Sequence, residues 1–322
     1  MLAARHRAWD TSHPFTRIKR GRTLPETFRK IAVTTWPIAL RPETNLSGLV
    51  GWLAGNGFEV ALDETSAAVV NEPGGLAHEK AIEGADLIIV IGGDGSMLRT
   101  AHLLGGDAPP LLGINAGHLG FLVDIPESGV ISALESVLIK GEYAIESRMR
   151  LRPSVQQNGA VIPLSDVLND VVLTSGPLAR MVEFQISVDG RQLGIFRADG
   201  LIIATPTGST AYSLSAGGPL LMPDLNVMLI NPICPHTLSN RPLVIPAEST
   251  VDVTLFAGDG GRSLPLSIDG QPGCDLDAGA RLRVVLSPDP VRLVRPRGSD
   301  FFEILRDKLL WETHPRGGKN GS

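Results

Sequence analysis

A glycine-rich segment with one central carboxylate is the part of this chain best suited to chemistry. Its residues are Gly92, Gly93, Asp94, Gly95 and Ser96, between the apolar run 87–91 and a stretch of helical spacing. Glycines let a backbone turn sharply near a ligand, and the following helix N-terminus offers free N–H groups to phosphate. A carboxylate among phosphates is favourable only where it accepts a hydrogen bond or holds a cation. Asp94 therefore either accepts the proton of an attacking hydroxyl or helps to hold Mg²⁺, and both roles indicate phosphoryl transfer.

One alternative role for Asp94 and two absent nucleotide-binding signatures bear on this segment. Asp94 could simply cap the helix that begins near Ser96, which is a common use of aspartate. The chain has no GxxxxGK[ST] phosphate loop and no GxGxxG that opens a helix, and Gly55-Asn56-Gly57 precedes a strand. A bound nucleotide is therefore held by neither of these two signatures.

A second candidate segment is an apolar strand that leads into a hydroxyl-rich loop. Residues 199–204 precede the run 205–213 (TPTGSTAYS), which holds five Ser or Thr hydroxyls, one glycine and Tyr212. Hydroxyl groups donate to phosphate or amide oxygens, and an aromatic ring stacks on a flat ligand ring. The alternative is a Ser/Thr-rich turn that caps the next helix.

The elements that position the first segment follow an α/β pattern. Strands are predicted at 30–34, 58–62, 85–91 and 111–115, and helices at 46–53, 97–104 and 130–138. The run 85–91 is apolar throughout, as expected of a parallel strand covered on both faces. Residues 31–141 are therefore predicted to form a doubly wound α/β domain that carries the GGDG segment.

The second half of the chain follows a β pattern. From about residue 143 apolar and polar residues alternate, as in 182–188, and Asp-Gly pairs begin at Asp189, Asp199, Asp259 and Asp269. Asp-Gly is a preferred tight-turn dipeptide, although not all four pairs need be hairpins. We predict a β-rich domain over 142–296, and a C-terminal helix and tail over 297–322.

Composition limits the possible partners. A chain of 322 residues exceeds what one core usually serves, so two domains are expected. Its net charge is −5 and it has no interleaved basic and aromatic stretch, which argues against nucleic acid as a partner. No apolar run approaches the roughly 20 residues that cross a bilayer, so no membrane association is expected.

Two cysteines forty positions apart suggest neither a disulfide framework nor a zinc site, and a cytoplasmic location is predicted. Residues 1–30 carry eight Lys or Arg against two acidic residues and are predicted to be a disordered basic extension.

Four segments in order resemble the NAD kinase family, and its bacterial branch in particular. They are Gly92–Ser96, Asn169-Asp170, Thr205–Ser213 continuing to Pro219, and Ile268-Asp269-Gly270-Gln271. The resemblance spans about residues 31–312 and implies the two-domain architecture that NAD kinases share with diacylglycerol kinases, with 142–296 as the NAD-binding domain. It implies transfer of the γ-phosphoryl group of ATP to the 2′-hydroxyl of the adenosine ribose of NAD. It also implies Mg²⁺ held through the nucleotide rather than by a protein cage, with Asp94 as the one candidate protein ligand.

The resemblance assigns roles by position. Asp94 would be the catalytic proton acceptor, and a phosphate loop would comprise Gly92, Gly93, Gly95 and Ser96. The NAD-binding residues would be Asp94, Gly95, Arg99, Asn169, Asp170, Arg180, Arg197, Asp199, Thr207, Thr210, Ala211, Tyr212, Ser213, Leu214, Ser215 and Gln271. A charged residue at position 197 goes with ATP rather than polyphosphate as the donor, and Asp170 stands where relatives often have Glu. The alternative for Arg99 is a solvated surface charge.

A further segment and two apolar loops bear on contacts between loops or subunits. The segment 232–242 also resembles the family, and we expect His236 and Arg241 to support a subunit or loop contact. The apolar loops Pro219–Met222 and Pro232–Pro235 favour a homodimer or homotetramer.

A diacylglycerol-type lipid kinase or a phosphofructokinase-like sugar kinase shares the GGDG turn. However, the hydroxyl-rich loop argues against a lipid acceptor, and no basic cluster suits a sugar phosphate. A non-catalytic NAD(P)-binding regulator would use the same pocket.

Overall fold

The computed structural model describes residues 28–36, 45–117, 120–123, 125–175, 181–236, 240–256 and 263–311. In this part of the chain the α-helices are α1 Leu46–Gly55, α2 Glu64–Val70, α3 His78–Ile82, α4 Asp94–His102, α5 Val130–Leu134, α6 Tyr212–Ser215 and α7 Phe301–Leu309. Short 3₁₀ segments are Glu127–Gly129 and Thr207–Thr210, and a π-helical segment, Glu135–Ile139, continues α5. The strands are β1 Lys30–Thr35, β2 Glu59–Leu62, β3 Leu87–Gly92, β4 Leu111–Asn115, β5 Ile125–Pro126, β6 Tyr143–Arg148, β7 Leu151–Gln157, β8 Ala160–Pro163, β9 Asp170–Thr174, β10 Val182–Val188, β11 Arg191–Ala198, β12 Gly200–Ala204, β13 Val227–Ile233, β14 Leu243–Pro246, β15 Val251–Leu255, β16 Leu264–Ile268, β17 Gln271–Leu276, β18 Arg281–Leu286 and β19 Val291–Pro296.

The N-terminal sheet has a parallel centre with helices on both faces. Its strand order is β2-β1-β3-β4-β19-β6, with β5 beside β4. Strand β3 is buried along its whole length, in agreement with its apolar sequence. Helices α1 and α5 pack on one face, whereas α3 and α4 pack on the other. The doubly wound prediction is confirmed, and the order reverses between β1 and β3, next to the end of β3 where α4 begins.

The second half forms a sandwich of two antiparallel six-stranded sheets. Their orders are β11-β10-β15-β18-β7-β8 and β14-β13-β12-β9-β16-β17. Burial alternates along β10 as the sequence predicts, with Val182, Phe184 and Ile186 inward. The core between the sheets includes Leu151, Phe184, Val253 and Leu282 from the first sheet and Leu173, Leu201, Ile230 and Leu266 from the second.

The Asp-Gly pairs divide into two kinds. Asp189-Gly190 and Asp269-Gly270 have positive φ at both residues, and they form the tight turns β10–β11 and β16–β17. Such turns favour Asp-Gly because both positions require left-handed backbone. Asp199 instead joins β11 to β12, which belong to different sheets. The pair at Asp259 lies outside the described residues.

Sheet membership crosses the predicted domain limits. Strands β6 and β19, both within 142–296, pair with each other and extend the N-terminal sheet. Period-two alternation predicts strands but does not reveal which sheet a strand joins, so the sequence could not place these two. Ordered structure also begins before residue 31, because Phe28 is buried and β1 starts at Lys30. Residues 1–27 and 312–322 lie outside the described part.

The α-helices of the described residues are short. The longest, α1, has ten residues. None of them combines the length and the apolar character that a membrane-spanning helix needs.

Candidate functional site

The carboxylate of Asp94 is fixed by a loop that follows β4. Helix α4 begins at Asp94, and Gly93 occupies its N-cap position. The N–H of Phe121 donates to Oδ2 of Asp94 and the N–H of Leu122 donates to Oδ1, both at 2.9 Å. The structure thus gives Asp94 a different role from the helix cap considered above. Each carboxylate oxygen keeps further acceptor capacity for a ligand.

Asp269 is the centre of a second cluster. Its side chain is fully buried, and it accepts hydrogen bonds from the N–H groups of Leu168, Asn169 and Asp170 at 2.7–3.0 Å. Nε2 of His102 lies 2.9 Å from its Oδ2. His102 is the last residue of α4, the helix that begins at Asp94. One buried carboxylate therefore joins the turn before β9 to the helix of the GGDG segment.

Asp170 has an unusual protonation equilibrium. Its side chain is buried at the start of β9. Burial, together with the negative charge of Asp269, raises the pKa of Asp170 to about 7. Near neutral pH its carboxyl is therefore divided between a form that can donate a hydrogen bond and a form that only accepts.

The hydroxyl-rich loop contacts this same turn. Oγ1 of Thr205 donates to the carbonyl of Leu168 at 2.5 Å and accepts from the N–H of Gly208 at 3.1 Å. The N–H of Thr205 donates to the carbonyl of Asn169 at 2.9 Å. A Cβ atom on Gly208 would lie 2.1 Å from that carbonyl oxygen, so only glycine fits. The 169–170 turn and the loop 205–213 are thus held in direct contact.

The rest of the loop is partly structural and partly exposed. Thr207–Thr210 is a 3₁₀ turn that leads into α6. Oγ of Ser209 donates to the carbonyl of Pro206, Oγ1 of Thr210 donates to that of Thr207, and Ser213 accepts from Asn231. Tyr212 is 45% exposed, and its ring can receive a flat ligand ring. Gly95 and Ser215 are exposed, whereas Ala211 and Leu214 are half-buried.

Two other predicted residues, Arg99 and Arg197, contact different side chains. The guanidinium of Arg99 lies 5.4 Å from the ring centre of Trp36. Arg197 forms an ion pair with Glu183 at 2.5 Å on the exposed strand β11. Gln271 is exposed at the start of β17, and Arg180 is outside the described residues. Their assignment to a ligand stays a prediction.

Asp199 lies at the opposite end of β12 from the hydroxyl-rich loop. The extended strand β12 separates Asp199 from Thr205 by about 20 Å, six residue steps at about 3.3 Å each. Oδ1 of Asp199 is 3.5 Å from Nε2 of His236, and the N–H of His236 donates to the carbonyl of Arg197. His236 thus makes a loop contact, as expected. The structure does not bring Asp199 to the contacts around Asp94 and Asp269.

Metal binding by the protein alone receives no support from the geometry. In the part of the chain that the structure describes, no group of three or more His, Cys, Asp or Glu side chains is placed to hold a metal ion.

Sequence reasoning missed the residues that hold the candidate site in place. These are Gly120, Phe121 and Leu122 after β4, and His102 at the end of α4. Of these, only Gly120 belongs to a turn signal visible in the sequence, since Gly117 and Gly120 closely follow the predicted strand 111–115. Nothing in the spacing of His102 and Asp269, which are 167 positions apart, indicated their contact.

Known proteins resemble the chain over both halves. Family models described as the ATP-NAD kinase N-terminal and C-terminal domains match residues 49–143 and 168–296. A NAD kinase of Geotalea daltonii is 43% identical over 82% of this chain and 92% of its own length. A NAD kinase of Geobacter sulfurreducens is 41% identical over 88% of this chain and 99% of its own length.

Two solved structures share the fold. Yeast NADH kinase complexed with NADH has a TM-score of 0.79 at 26% identity, over 91% of this chain and 90% of that chain. A NAD kinase from Archaeoglobus fulgidus in complex with ATP has a TM-score of 0.68 at 26% identity, over 87% of this chain and 98% of that chain. These matches confirm the family resemblance and give no support to the lipid-kinase or regulator alternatives. The chain belongs to the NAD kinase family.

Proposed function

We propose that this chain transfers the γ-phosphoryl group of ATP to the 2′-hydroxyl of the adenosine ribose of NAD, with Asp94 accepting the proton. One observation carries the proposal: the Asp94 carboxylate is held at both oxygens at the start of α4, directly after the glycine turn. Phosphoryl transfer needs little covalent work from the protein, so a fixed acceptor and neutralised phosphate charge supply most of the catalysis.

The glycine turn would bind the phosphates. Gly92 ends β3 and Gly93 precedes α4, a nine-residue helix whose first N–H groups lack partners within the helix. These groups and the positive end of the helix dipole suit a triphosphate or diphosphate. Gly95 and Ser96 lie in the first turn of α4, and Gly95, which has no side chain, adds no bulk between backbone and ligand.

The NAD side of the site would be the turn and loop that Asp269 and Thr205 join. The Asn169 amide and the Asp170 carboxyl suit ribose hydroxyls or adenine edges, because both donate and accept near neutral pH. The exposed ring of Tyr212 would stack on a base. The segment from Thr207 to Ser215 would line the dinucleotide on this side.

A divalent cation fits this site only as a companion of the nucleotide. The described residues offer Asp94 as one carboxylate beside the glycine turn, and no protein cage accompanies it. Mg²⁺ held by phosphate oxygens, with Asp94 as at most one protein ligand, would neutralise charge on the transferred group.

We also propose that the chain acts as a homo-oligomer in the cytoplasm. Leu243 and Val244 are 37% and 41% exposed on β14, the edge strand of one sandwich sheet, and edge strands can pair with a second copy. The loop Pro219–Met222 is also partly exposed, whereas Pro232 and Ile233 are buried within β13. A monomeric mass at micromolar concentration would contradict the oligomer.

The reaction is tested by incubating purified protein with NAD and Mg·ATP. NADP is measured with an NADP-specific dehydrogenase, and ³¹P NMR establishes that the new phosphate is on the 2′ position. We expect NADP formation that stops when EDTA removes the metal. We expect none when polyphosphate replaces ATP, because the family resemblance links a charged residue at position 197, here Arg197, to ATP as the donor. A folded protein that binds NAD but forms no NADP would overturn the proposal in favour of a regulator.

A further inference from the structure

The loop that holds Asp94 is itself held by a buried arginine. Arg295, on β19, has a side chain only 5% exposed. Its Nη2 donates to the carbonyl of Phe121 at 3.1 Å, and its Nη1 donates to the carbonyl of Leu122 at 3.2 Å. These are the two residues whose N–H groups donate to Asp94.

The geometry also gives an electronic connection. The carbonyl of Phe121 and the N–H of Leu122 belong to one peptide group. The guanidinium on the carbonyl side therefore polarises the N–H that donates to Oδ1 of Asp94, because hydrogen bonds in series strengthen one another in the low-dielectric protein interior. Arg295 thus acts on the carboxylate through a single peptide plane.

A glutamate connects Arg295 to a second buried arginine. Oε2 of Glu146 accepts from Nε of Arg295 at 3.2 Å and from Nη2 of Arg148 at 2.6 Å. Burial raises the pKa of Glu146, but the charges and hydrogen bonds of both guanidinium groups outweigh this and hold it below the usual range. The glutamate is therefore ionised at neutral pH and holds the two arginines together.

The second arginine reaches the hydroxyl-rich loop. The side chain of Arg148 is 4% exposed, and its Nη1 lies 3.4 Å from Oγ1 of Thr207. Glu146 and Arg148 lie on β6, which pairs with β19, and these are the two strands that the second half of the chain adds to the N-terminal sheet. The cluster lies where the two halves of the chain meet.

We propose that Arg295, Glu146 and Arg148 form a positioning relay that sets the Asp94 carboxylate relative to the loop of Thr207. The relay would act through the Asp94 carboxylate rather than on a substrate, and it rests on the proposed role of Asp94. It matters because a displacement of about 1 Å at a reacting group can lower turnover by about 100-fold.

The test compares Arg295→Gln with Arg292→Gln. Arg292 lies on the same strand, and it too donates to a backbone carbonyl of the N-terminal half, that of Ala108, away from Asp94. We expect Arg295→Gln to lower kcat by about 10- to 100-fold while the Kd for NAD changes less than about 3-fold. Arg292→Gln should leave kcat within about 2-fold of the wild type. Arg295→Lys should recover part of the lost kcat, because one ammonium can still reach a carbonyl.

Glu146→Gln tests the link between the arginines. Its side chain is 42% exposed, so the variant is expected to fold. If the relay exists, the loss of kcat in Glu146→Gln and in Arg295→Gln is non-additive, and the double variant is little worse than Arg295→Gln alone. Additive losses, or a wild-type kcat in Arg295→Gln, would overturn the relay.

Failure of the relay is distinguishable from failure of the proposed function. An inactive wild type would contradict the function alone. A crystal structure of Arg295→Gln then still tests the relay, because the relay predicts a displaced 120–122 loop and a moved Asp94 carboxylate. An unmoved carboxylate would overturn it.

Discussion

Gly120 and Asp94 are packed so closely that a Cβ atom on Gly120 would lie 2.0 Å from Oδ1 of Asp94. The missing side chain lets the loop after β4 approach the carboxylate, and this approach brings the N–H groups of Phe121 and Leu122 within 2.9 Å. The proposed proton acceptor is thus positioned by a residue that has no side chain.

Gly120→Ala is expected to lower kcat by at least about 100-fold, because the added methyl group displaces the Asp94 carboxylate. The atom it meets is the end of a side chain, so the fold and the Kd for NAD should change little. Steady-state kinetics and calorimetric NAD titration measure the two effects. Gly51→Ala is the matched control, since Gly51 is at an exposed position of α1 and a Cβ there meets nothing within 4 Å. A Gly120→Ala variant with wild-type kcat would show that Asp94 is not held as described.

Asp269→Asn is expected to weaken NAD binding and the fold together. Asparagine tolerates the left-handed backbone at φ 46°, so the change isolates the loss of the carboxylate. Its amide cannot accept from Leu168, Asn169, Asp170 and His102 at once, and leaving such buried groups unpaired costs about 3–5 kcal/mol. Urea unfolding and the KM for NAD should both change. An unchanged KM for NAD would show that Asp269 does not support the NAD site.

Asp170→Asn should make stability less dependent on pH. A carboxyl whose pKa is raised to about 7 on folding binds its proton more tightly in the folded state. The free energy of unfolding therefore falls as pH rises from about 4 to about 7, by an amount on the order of 2–4 kcal/mol. The variant should gain stability relative to the wild type at pH 8 but not at pH 4.5.

Urea unfolding at the two pH values measures this gain. Asp224→Asn, at an exposed position, is the control and should follow the wild type. An equal difference between Asp170→Asn and wild type at both pH values would contradict the raised pKa.

The sequence predicted the parts of the fold that depend on local pattern. The fully apolar run of β3 and the helical spacing of Leu46, Leu49 and Leu53 gave elements close to the observed bounds. The hydroxyl-rich loop was visible because its composition is unusual. Helices α2 and α3 were missed, since seven and five residues are too short for a helical period to be evident.

The contacts that build the site depend on long-range geometry. Arg295 lies 174 positions from Phe121, and no spacing rule connects a strand arginine to a distant carbonyl. The alternative that Asp94 caps its helix was wrong for the same reason. The N–H groups that donate to its carboxylate lie 27 and 28 positions away, where no local pattern reveals them. Motif positions could be read from the sequence, whereas the residues that hold them could not.

The most direct measurement is the kcat for NADP formation by Asp94→Asn, with the Kd for NAD determined on the same sample. The amide preserves the shape of the side chain but cannot accept a proton. The account predicts a folded variant that binds NAD nearly as the wild type does and loses about 10²–10⁴-fold in kcat. A variant that binds NAD and retains more than a few per cent of the wild-type kcat would contradict the assignment of Asp94 as the proton acceptor.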